Sequence, residues 1–154
     1  MAGLVAVFYR FLLEYAEKYL NIIISTVKDS PSKIALWFIA LAALGGFVAM
    51  LNKIEPMSSG SGIPQVAGEV KGVLTQNWWR VLLAKIVGGT VCVFSGLSLG
   101  REGPSVQLGG MAAKGIARAT KADKTTELRM ISCGAGAGMA AAFNAPLAGT
   151  MFVL

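Results

Sequence analysis

The chain has 154 residues, of which 55% are hydrophobic and 14% are charged, with 19 glycines and no histidine. A soluble domain carries about a quarter charged residues, so the composition favours a membrane protein. Without histidine there can be no serine–histidine pair, imidazole metal site or imidazole proton shuttle. The two cysteines, Cys92 and Cys133, lie far apart in apolar stretches and indicate neither a metal site nor a disulfide framework.

The formal net charge is +6, from 14 Lys and Arg against 8 Asp and Glu. Aromatic and basic residues are not interleaved on a polar surface and no recognition module is evident, so no nucleic-acid partner is expected. Cytoplasmic loops of membrane proteins collect basic residues beside anionic lipid. We interpret the positive net charge in this way. Attraction of an anionic substrate would be a second reason for it.

The first 54 residues predict two helices. Apolar residues at spacings of three and four in segment 3–27 predict a helix with one polar face. The run Asp29-Ser30-Pro31 predicts a turn and a helix start, with Ser30 as a candidate N-cap and Pro31 in the first position. The uncharged stretch 34–52 is long enough to cross about 30 Å of hydrocarbon and predicts a transmembrane helix.

The middle of the chain alternates apolar runs with loops. Residues 55–64 have loop chemistry, and only two to three helical turns fit before Gly72. Lys85 alone interrupts the apolar run 81–99. A second loop rich in glycine and charge follows at 100–104, and a helix is predicted from Pro104 to about Ala119.

The last forty residues divide into a basic and an apolar part. The basic residues predict a water-exposed connection, on the cytoplasmic side by the positive-inside tendency; they are Lys114, Arg118, Lys121, Lys124 and Arg129. The uncharged stretch 130–154 is predicted to form two short helices divided at Asn144-Ala145-Pro146. Asn144 either hydrogen-bonds across helices or caps the helix at Pro146, and we assign it no transport role.

Glycine pairs at spacing four recur along the chain. We interpret all of them as helix-packing seams, namely Gly68/Gly72, Gly96/Gly100 and Gly134/Gly138. They lack the phosphate-loop pattern, which excludes a nucleotide site. No soluble linker or second domain is visible in the sequence.

Two loops punctuated by glycine and proline, at 60–64 and 100–104, each precede a helix. Irregular backbone at membrane depth is tolerated only where it is buried in protein or lines an aqueous cavity. A helix N-terminus presents unpaired N–H groups and about half a positive charge. Several such termini directed at one point would stabilise a dehydrated anion and select it over cations.

Two side chains in these loops are candidates for the chemistry. Ser61 is the natural hydroxyl donor to an anion, although spacing alone favours an ordinary N-cap serine. Glu102 is a costly carboxylate in an apolar region. It either occupies the anion's place and leaves on protonation, acting as a gate, or forms a structural ion pair with Arg101 or another helix, or stabilises a helix N-terminus. The residues leave these alternatives equally open.

Three motifs in register resemble the CLC family of chloride channels and proton/chloride antiporters: Gly60-Ser61-Gly62-Ile63-Pro64, Gly100-Arg101-Glu102-Gly103-Pro104 and the stretch 140–149. The resemblance covers nearly the whole chain. It implies a homodimer with one anion pathway per subunit, each subunit built from two halves of inverted topology. A serine in place of the methionine or proline of other family branches implies a chloride-preferring member.

The resemblance also implies the roles of individual residues. The Ser61 hydroxyl and the amides of Gly62 and Ile63 contact chloride. Glu102 is the external gate and, in antiporters, carries the proton. Arg101 and Gly103 flank this glutamate, and the Gly103 amide belongs to an external anion site.

The expected fold is therefore all-α and integral to the membrane: the first inverted-topology repeat of a CLC-type transporter, with tilted, short and re-entrant helices. Residues 1–154 would form this partial domain, cut at both ends, with no soluble domain. The family's second half, third motif and pathway tyrosine are missing from the sequence. The chain alone is therefore not expected to conduct.

The expected function is chloride transport in a bacterial plasma membrane, by a channel or a proton-coupled antiporter. The expected partners are chloride, the lipid bilayer and, in an antiporter, protons; no enzymatic activity, cofactor or metal is expected. Two alternatives stay open. One is a half-transporter that assembles with a separately encoded second half or with another copy of itself, and the other is a non-transporting membrane scaffold.

Overall fold

The computed structural model describes residues 2–27 and 31–153, and all regular secondary structure in these ranges is helical. The all-α expectation is confirmed. A short 3-10 helix at Pro56–Ser58 precedes the third of the α-helices, which are α1 (Ala2–Val27), α2 (Pro31–Ile54), α3 (Ile63–Val70), α4 (Trp78–Phe94), α5 (Glu102–Ala119), α6 (Lys124–Phe143) and α7 (Pro146–Met151).

The first two helices agree with the sequence pattern. Helix α1 buries Ala6, Tyr9, Leu13 and Ala16 along one face, as the spacing of three and four requires. Helix α2 is, within the described ranges, the one helix long and apolar enough by composition to cross a membrane, and none of its most apolar window is buried inside the protein. Pro31 opens this helix as predicted, whereas the proposed N-cap Ser30 lies outside the described residues.

Several other helices are too short to span a bilayer. Helix α3 has 8 residues and α7 has 6, which gives them lengths of about 12 Å and 9 Å. Helix α4 ends at Phe94, and Gly96 with φ +85° then turns the chain into a non-helical segment that reaches Arg101. Interrupted helices of this kind are the expected architecture.

Helices α5 and α6 pack directly against each other through glycines. A Cβ built on Gly134 would lie 2.5 Å from the Ala113 Cβ, and one built on Gly138 would collide with the Ser105 carbonyl oxygen. The pair Gly134/Gly138 is therefore the packing seam that its spacing predicts.

The other two glycine pairs are not helix seams, and that part of the prediction is wrong. Gly68 faces the Leu74 side chain of the following loop, and Gly72 takes φ +75° just after α3. Gly96 and Gly100 both lie in the loop between α4 and α5. The spacing of four carries meaning only inside a helix, and the first of these pairs extends past the end of α3 while the second lies wholly in a loop.

Helix boundaries differ from the prediction at α5, α6 and α7. Helix α5 begins at Glu102, two residues before Pro104. Helix α6 begins at Lys124, where the Asp123 carboxylate accepts from two backbone amides and from the Thr126 hydroxyl, bonds that lower the pKa of Asp123 below its usual 3.8. Asn144 has φ +53° and ends α6, while Ala145 is the N-cap of α7. The suggested capping of the Pro146 helix by Asn144 is therefore wrong.

Lys114 does not belong to a water-exposed connection, which corrects a further prediction. It is 1% exposed and forms an ion pair with the buried Glu69 of α3. Its ammonium also donates to the Gln76 carbonyl oxygen at 2.5 Å, and the Gln76 side chain donates to Glu69 at 2.9 Å. The other four basic residues of the predicted connection, Arg118, Lys121, Lys124 and Arg129, are exposed, whereas Lys114 lies on the face of α5 that packs against α3.

The buried pair makes a testable prediction about stability. Lys114→Met leaves the Glu69 carboxylate buried without its countercharge and should lower the free energy of unfolding by about 3–5 kcal/mol. The double variant Lys114→Met/Glu69→Leu contains neither charge, and its free energy of unfolding should fall much less. Reversible unfolding in detergent micelles measures both, and equal losses in the single and double variants would contradict the prediction.

Candidate anion-binding site

The loop before α3 leaves the Ser61 hydroxyl free. Gly60 (φ +69°) and Gly62 (φ +94°) reverse the chain on either side of Ser61. The N-cap of α3 is Gly62, and no side chain caps the helix. No residue in the described ranges hydrogen-bonds with the Ser61 hydroxyl. The N-cap interpretation of Ser61 is therefore wrong, and its hydroxyl is available to a ligand.

The start of α5 contacts this loop. The first intrahelical bond of α5 runs from the Ser105 amide to the Arg101 carbonyl oxygen at 3.2 Å, so the amides of Glu102 and Gly103 precede the helical ladder. A Cβ built on Gly103 would lie 2.5 Å from the Ser61 carbonyl oxygen and 2.8 Å from the Ser61 Cβ. Only glycine allows this approach.

Gln107 locks the loop from the other side. This fully buried residue of α5 donates from Nε2 to the Met57 carbonyl oxygen at 2.8 Å and to the Gln76 side chain at 2.7 Å. Its side chain also occupies the space beside Gly62, where a Cβ would lie 2.5 Å from its Oε1. Gly62 therefore meets two demands that exclude a side chain: a left-handed φ and contact with Gln107.

Lys85 fixes the carbonyl oxygens of the same loop. Its ammonium donates to the Ser58 carbonyl oxygen at 2.9 Å and to the Gly60 carbonyl oxygen at 2.6 Å. It is 6% exposed and pairs with no carboxylate in the described part of the chain. The ammonium is bonded to carbonyl oxygens and not to a carboxylate, so no countercharge in the described ranges offsets its formal charge.

Two cavities meet at Glu102. We call the first, of about 430 Å³, the Ser61 cavity; its lining includes Ser61, Lys85, Glu102 and Gly103. We call the second, of about 550 Å³, the Arg101 cavity; its lining includes Glu17, Arg101 and Glu102. Glu102 lines both, together with Leu99 and Gly100.

Arg101 forms ion pairs with residues other than Glu102. Its guanidinium contacts the Glu17 carboxylate at 3.0 Å and the Glu14 carboxylate at 3.6 Å, both on α1. Within the described ranges Glu102 forms no ion pair, so the suggested salt bridge between Arg101 and Glu102 is wrong. The Glu102 side chain instead lies against Gly100, where a Cβ would be 2.7 Å from its Oε2.

The predicted site residues are thus only partly brought together. Ser61, Glu102 and Gly103 line one cavity, and Arg101 lines the adjoining one. Gly62 and Ile63 contribute the start of α3 and do not line either cavity. Sequence reasoning missed Lys85 and Gln107 as partners of the loop. The signal for Lys85 was present, since a lone charge in a long apolar run is costly and indicates a specific partner.

Comparisons with known proteins identify relatives of the chain. Residues 40–154 match the family model described as voltage gated chloride channel. An H+/Cl− exchange transporter ClcA from Vibrio campbellii is 36% identical over 159 residues, which cover 100% of this chain and 34% of that protein. A Vibrio cholerae protein of the same name is 42% identical over 130 residues, covering 80% of this chain and 27% of the relative.

A solved structure extends the agreement to the fold. A slow cyanobacterial Cl−/H+ antiporter matches with a TM-score of 0.81 and 33% identity, over 96% of this chain and 35% of that one. The chain belongs to the voltage gated chloride channel family, known as CLC. It spans about a third of the length of the relatives it matches.

The contact between Gly103 and Ser61 predicts a stability difference between two glycines of the same cavity. Gly103→Ala must displace the Ser61 backbone and should lower the free energy of unfolding by about 1–3 kcal/mol. Gly88→Ala has nothing within 4 Å and should stabilise helix α4 by about 0.5–1 kcal/mol. Unfolding midpoints in detergent compare the two variants. Equal midpoints would contradict the close contact between Gly103 and Ser61.

The bonds of Lys85 predict how firmly the loop is held. Lys85→Met leaves the Ser58 and Gly60 carbonyl oxygens without their donor, and amide exchange in residues 58–62 should become roughly 10- to 100-fold faster. Lys85→Arg retains the positive charge and several hydrogen-bond donors, so it should change the rate of amide hydrogen exchange less. Hydrogen exchange read by mass spectrometry checks this; unchanged rates in Lys85→Met would show that the ammonium does not fix the loop.

Proposed function

We propose that this chain forms part of a chloride pathway across the bacterial plasma membrane, in which chloride is exchanged for protons under the control of Glu102. The observation that supports this most is the shared Ser61 cavity. An unbonded hydroxyl, the start of α5 at Gly103 and the Glu102 carboxylate all line it. The names of the relatives, as H+/Cl− exchange transporters, favour an exchanger over a channel.

The charges around the Ser61 cavity suit a switch between proton and anion. Among the described residues that line it, Lys85 is the one cation and Glu102 the one carboxylate. With Glu102 ionised the two formal charges cancel. When Glu102 is protonated the lining carries one positive charge, and chloride entering the cavity restores neutrality. In a medium of low dielectric constant this difference is large.

The position of Glu102 suits a gate. Its side chain lies where the Ser61 cavity meets the Arg101 cavity, so moving it opens or closes the boundary between them. Glu14 and Glu17 engage Arg101, which leaves the Glu102 carboxylate without a fixed cation to hold it. An unpaired carboxylate beside a helix N-terminus competes with chloride for the same donors and gives way when protonated.

The proposal includes residues beyond the described site. Ser61, the amides at the start of α5 and Lys85 supply donors from one side, and further segments of the complete exchanger would supply the others. These segments belong either to the same polypeptide or to a separately encoded partner. Two such assemblies would form a homodimer. No covalent bond is made or broken in this scheme, so the activity is transport.

Chloride binding to the chain tests the site. Isothermal titration with sodium chloride, with sodium gluconate as the blank, should show binding to the purified chain in detergent. Ser61→Ala should weaken chloride binding by about three- to tenfold, because one neutral hydrogen bond is lost. Glu102→Gln, which mimics the protonated gate, should strengthen it by at least about tenfold because the competing negative charge is removed.

The control is Asp123→Asn, which removes a negative charge that lines neither cavity and retains the cap of α6. It should leave chloride binding unchanged. A chain that binds no chloride, or whose binding is the same in Ser61→Ala and Glu102→Gln, would overturn the proposed function in favour of a membrane scaffold.

A further inference from the structure

Tyr9 is the largest of the completely buried side chains, and its surroundings are apolar. It is 2% exposed and packs in a cluster with Leu13, Ala16, Val93 and Leu108. Phenylalanine would fill nearly the same volume in such a cluster. The hydroxyl is therefore the part of Tyr9 that packing alone does not explain.

The Tyr9 hydroxyl has no partner in the described part of the protein. Neither a side chain nor a backbone group in residues 2–27 and 31–153 hydrogen-bonds with it. Buried tyrosines usually find a partner for the O–H group, because an unsatisfied buried hydroxyl costs about 1–3 kcal/mol. This one is unsatisfied unless a ligand or water supplies the missing bond.

The hydroxyl is placed at the wall of the Ser61 cavity. Tyr9 lines this cavity, as do Gly88, Gly89 and Cys92 of α4. A Cβ built on Gly89 would collide with the Tyr9 hydroxyl oxygen, so the missing side chain of Gly89 makes the room that the hydroxyl occupies. Gly89 lies four residues after Lys85, on the same face of α4.

We propose that the Tyr9 hydroxyl is a further hydrogen-bond donor to the chloride ion in the Ser61 cavity, an inference that rests on the proposed function. Three observations carry it: the hydroxyl without a protein partner on a side chain that is otherwise buried, the glycine that makes room for it, and the lining that Tyr9 shares with Ser61, Lys85 and Gly103.

Chemically, the hydroxyl complements the other groups of the cavity. The Ser61 loop and the start of α5 provide donors from one part of the lining, and Tyr9 provides one from α1. A phenol donates one hydrogen bond and carries no charge. Tyr9 therefore raises the affinity for the anion without altering the charge balance between Lys85 and Glu102.

The central test removes only the hydroxyl. In Tyr9→Phe, chloride binding measured by titration of the purified chain should weaken by about three- to tenfold. The unfolding midpoint without chloride should stay the same or rise, because a buried unpaired hydroxyl is lost. The matched control is Tyr15→Phe on the same helix, whose side chain is 61% exposed and lines neither cavity, and which should bind like the unaltered chain.

A second variant pair tests the location of the hydroxyl. Gly89→Ala introduces a methyl group into its position and should weaken chloride binding and lower the unfolding midpoint. In the Tyr9→Phe background the added methyl group still meets the ring, at 3.1 Å and 3.3 Å from two ring carbons, but no longer meets the oxygen. The loss of stability from Gly89→Ala should therefore be smaller there.

The possible results separate this inference from the proposed function. Weaker binding in Tyr9→Phe with an unchanged midpoint supports the inference. If Ser61→Ala weakens binding and Tyr9→Phe does not, the donor role of Tyr9 is overturned while the proposed function stands. If the unaltered chain binds no chloride, both are overturned. A lower midpoint in Tyr9→Phe with unchanged affinity overturns the donor role and makes the hydroxyl structural.

Discussion

The contact between Gly103 and the Ser61 carbonyl oxygen is the constraint on which the candidate site depends. It brings together two segments forty residues apart, the loop before α3 and the start of α5, and gives their polar groups one common cavity. Irregular backbone within a bilayer must be buried or line a cavity. The loop before α3 is therefore stabilised by fixed partners rather than by solvent. Lys85 and Gln107 are those partners, and both are almost completely buried.

Some polar groups around the candidate site are bonded within the protein, and others are not. Lys85 takes the carbonyl oxygens of the Ser61 loop, and Glu14 and Glu17 take the Arg101 guanidinium. The lining of the Ser61 cavity includes three groups without a hydrogen-bond or ion-pair partner in the described ranges, namely the Ser61 hydroxyl, the Glu102 carboxylate and the Tyr9 hydroxyl. Polar groups that line a cavity and lack a protein partner are available to a ligand or to water. The two hydroxyls can donate to an acceptor such as chloride, and the carboxylate can accept a proton or a hydrogen bond. Chloride and the proton are the two ligands of the proposed exchange.

Much of the fold could be predicted from the sequence, because the dominant signals were local. The length and apolarity of α2, the amphipathic spacing of α1 and the division at Asn144-Ala145-Pro146 were all visible. The errors arose where a local pattern met a tertiary partner. Lys114 resembled its basic neighbours in sequence, but Glu69, forty-five residues earlier, holds it inside the protein. Of the glycine pairs, one extends past a helix end and one lies in a loop, and the spacing alone shows neither.

The candidate site was only half predictable for a related reason. Motifs identified Ser61, Glu102 and Gly103 because those residues are contiguous with glycine and proline signals. Tyr9 belongs to an apolar helical pattern and carries no signal, and Lys85 is marked only as a lone charge in an apolar run. The packing of α1 and α4 beside the Ser61 loop brings both residues to the cavity. The residues proposed to contact the anion thus come from two sources, loops that motifs identify and helix faces that only the tertiary packing brings to the cavity. The second kind contributes the one positive charge of the described lining, without which the cavity would carry only the charge of Glu102 and repel the anion it is proposed to bind.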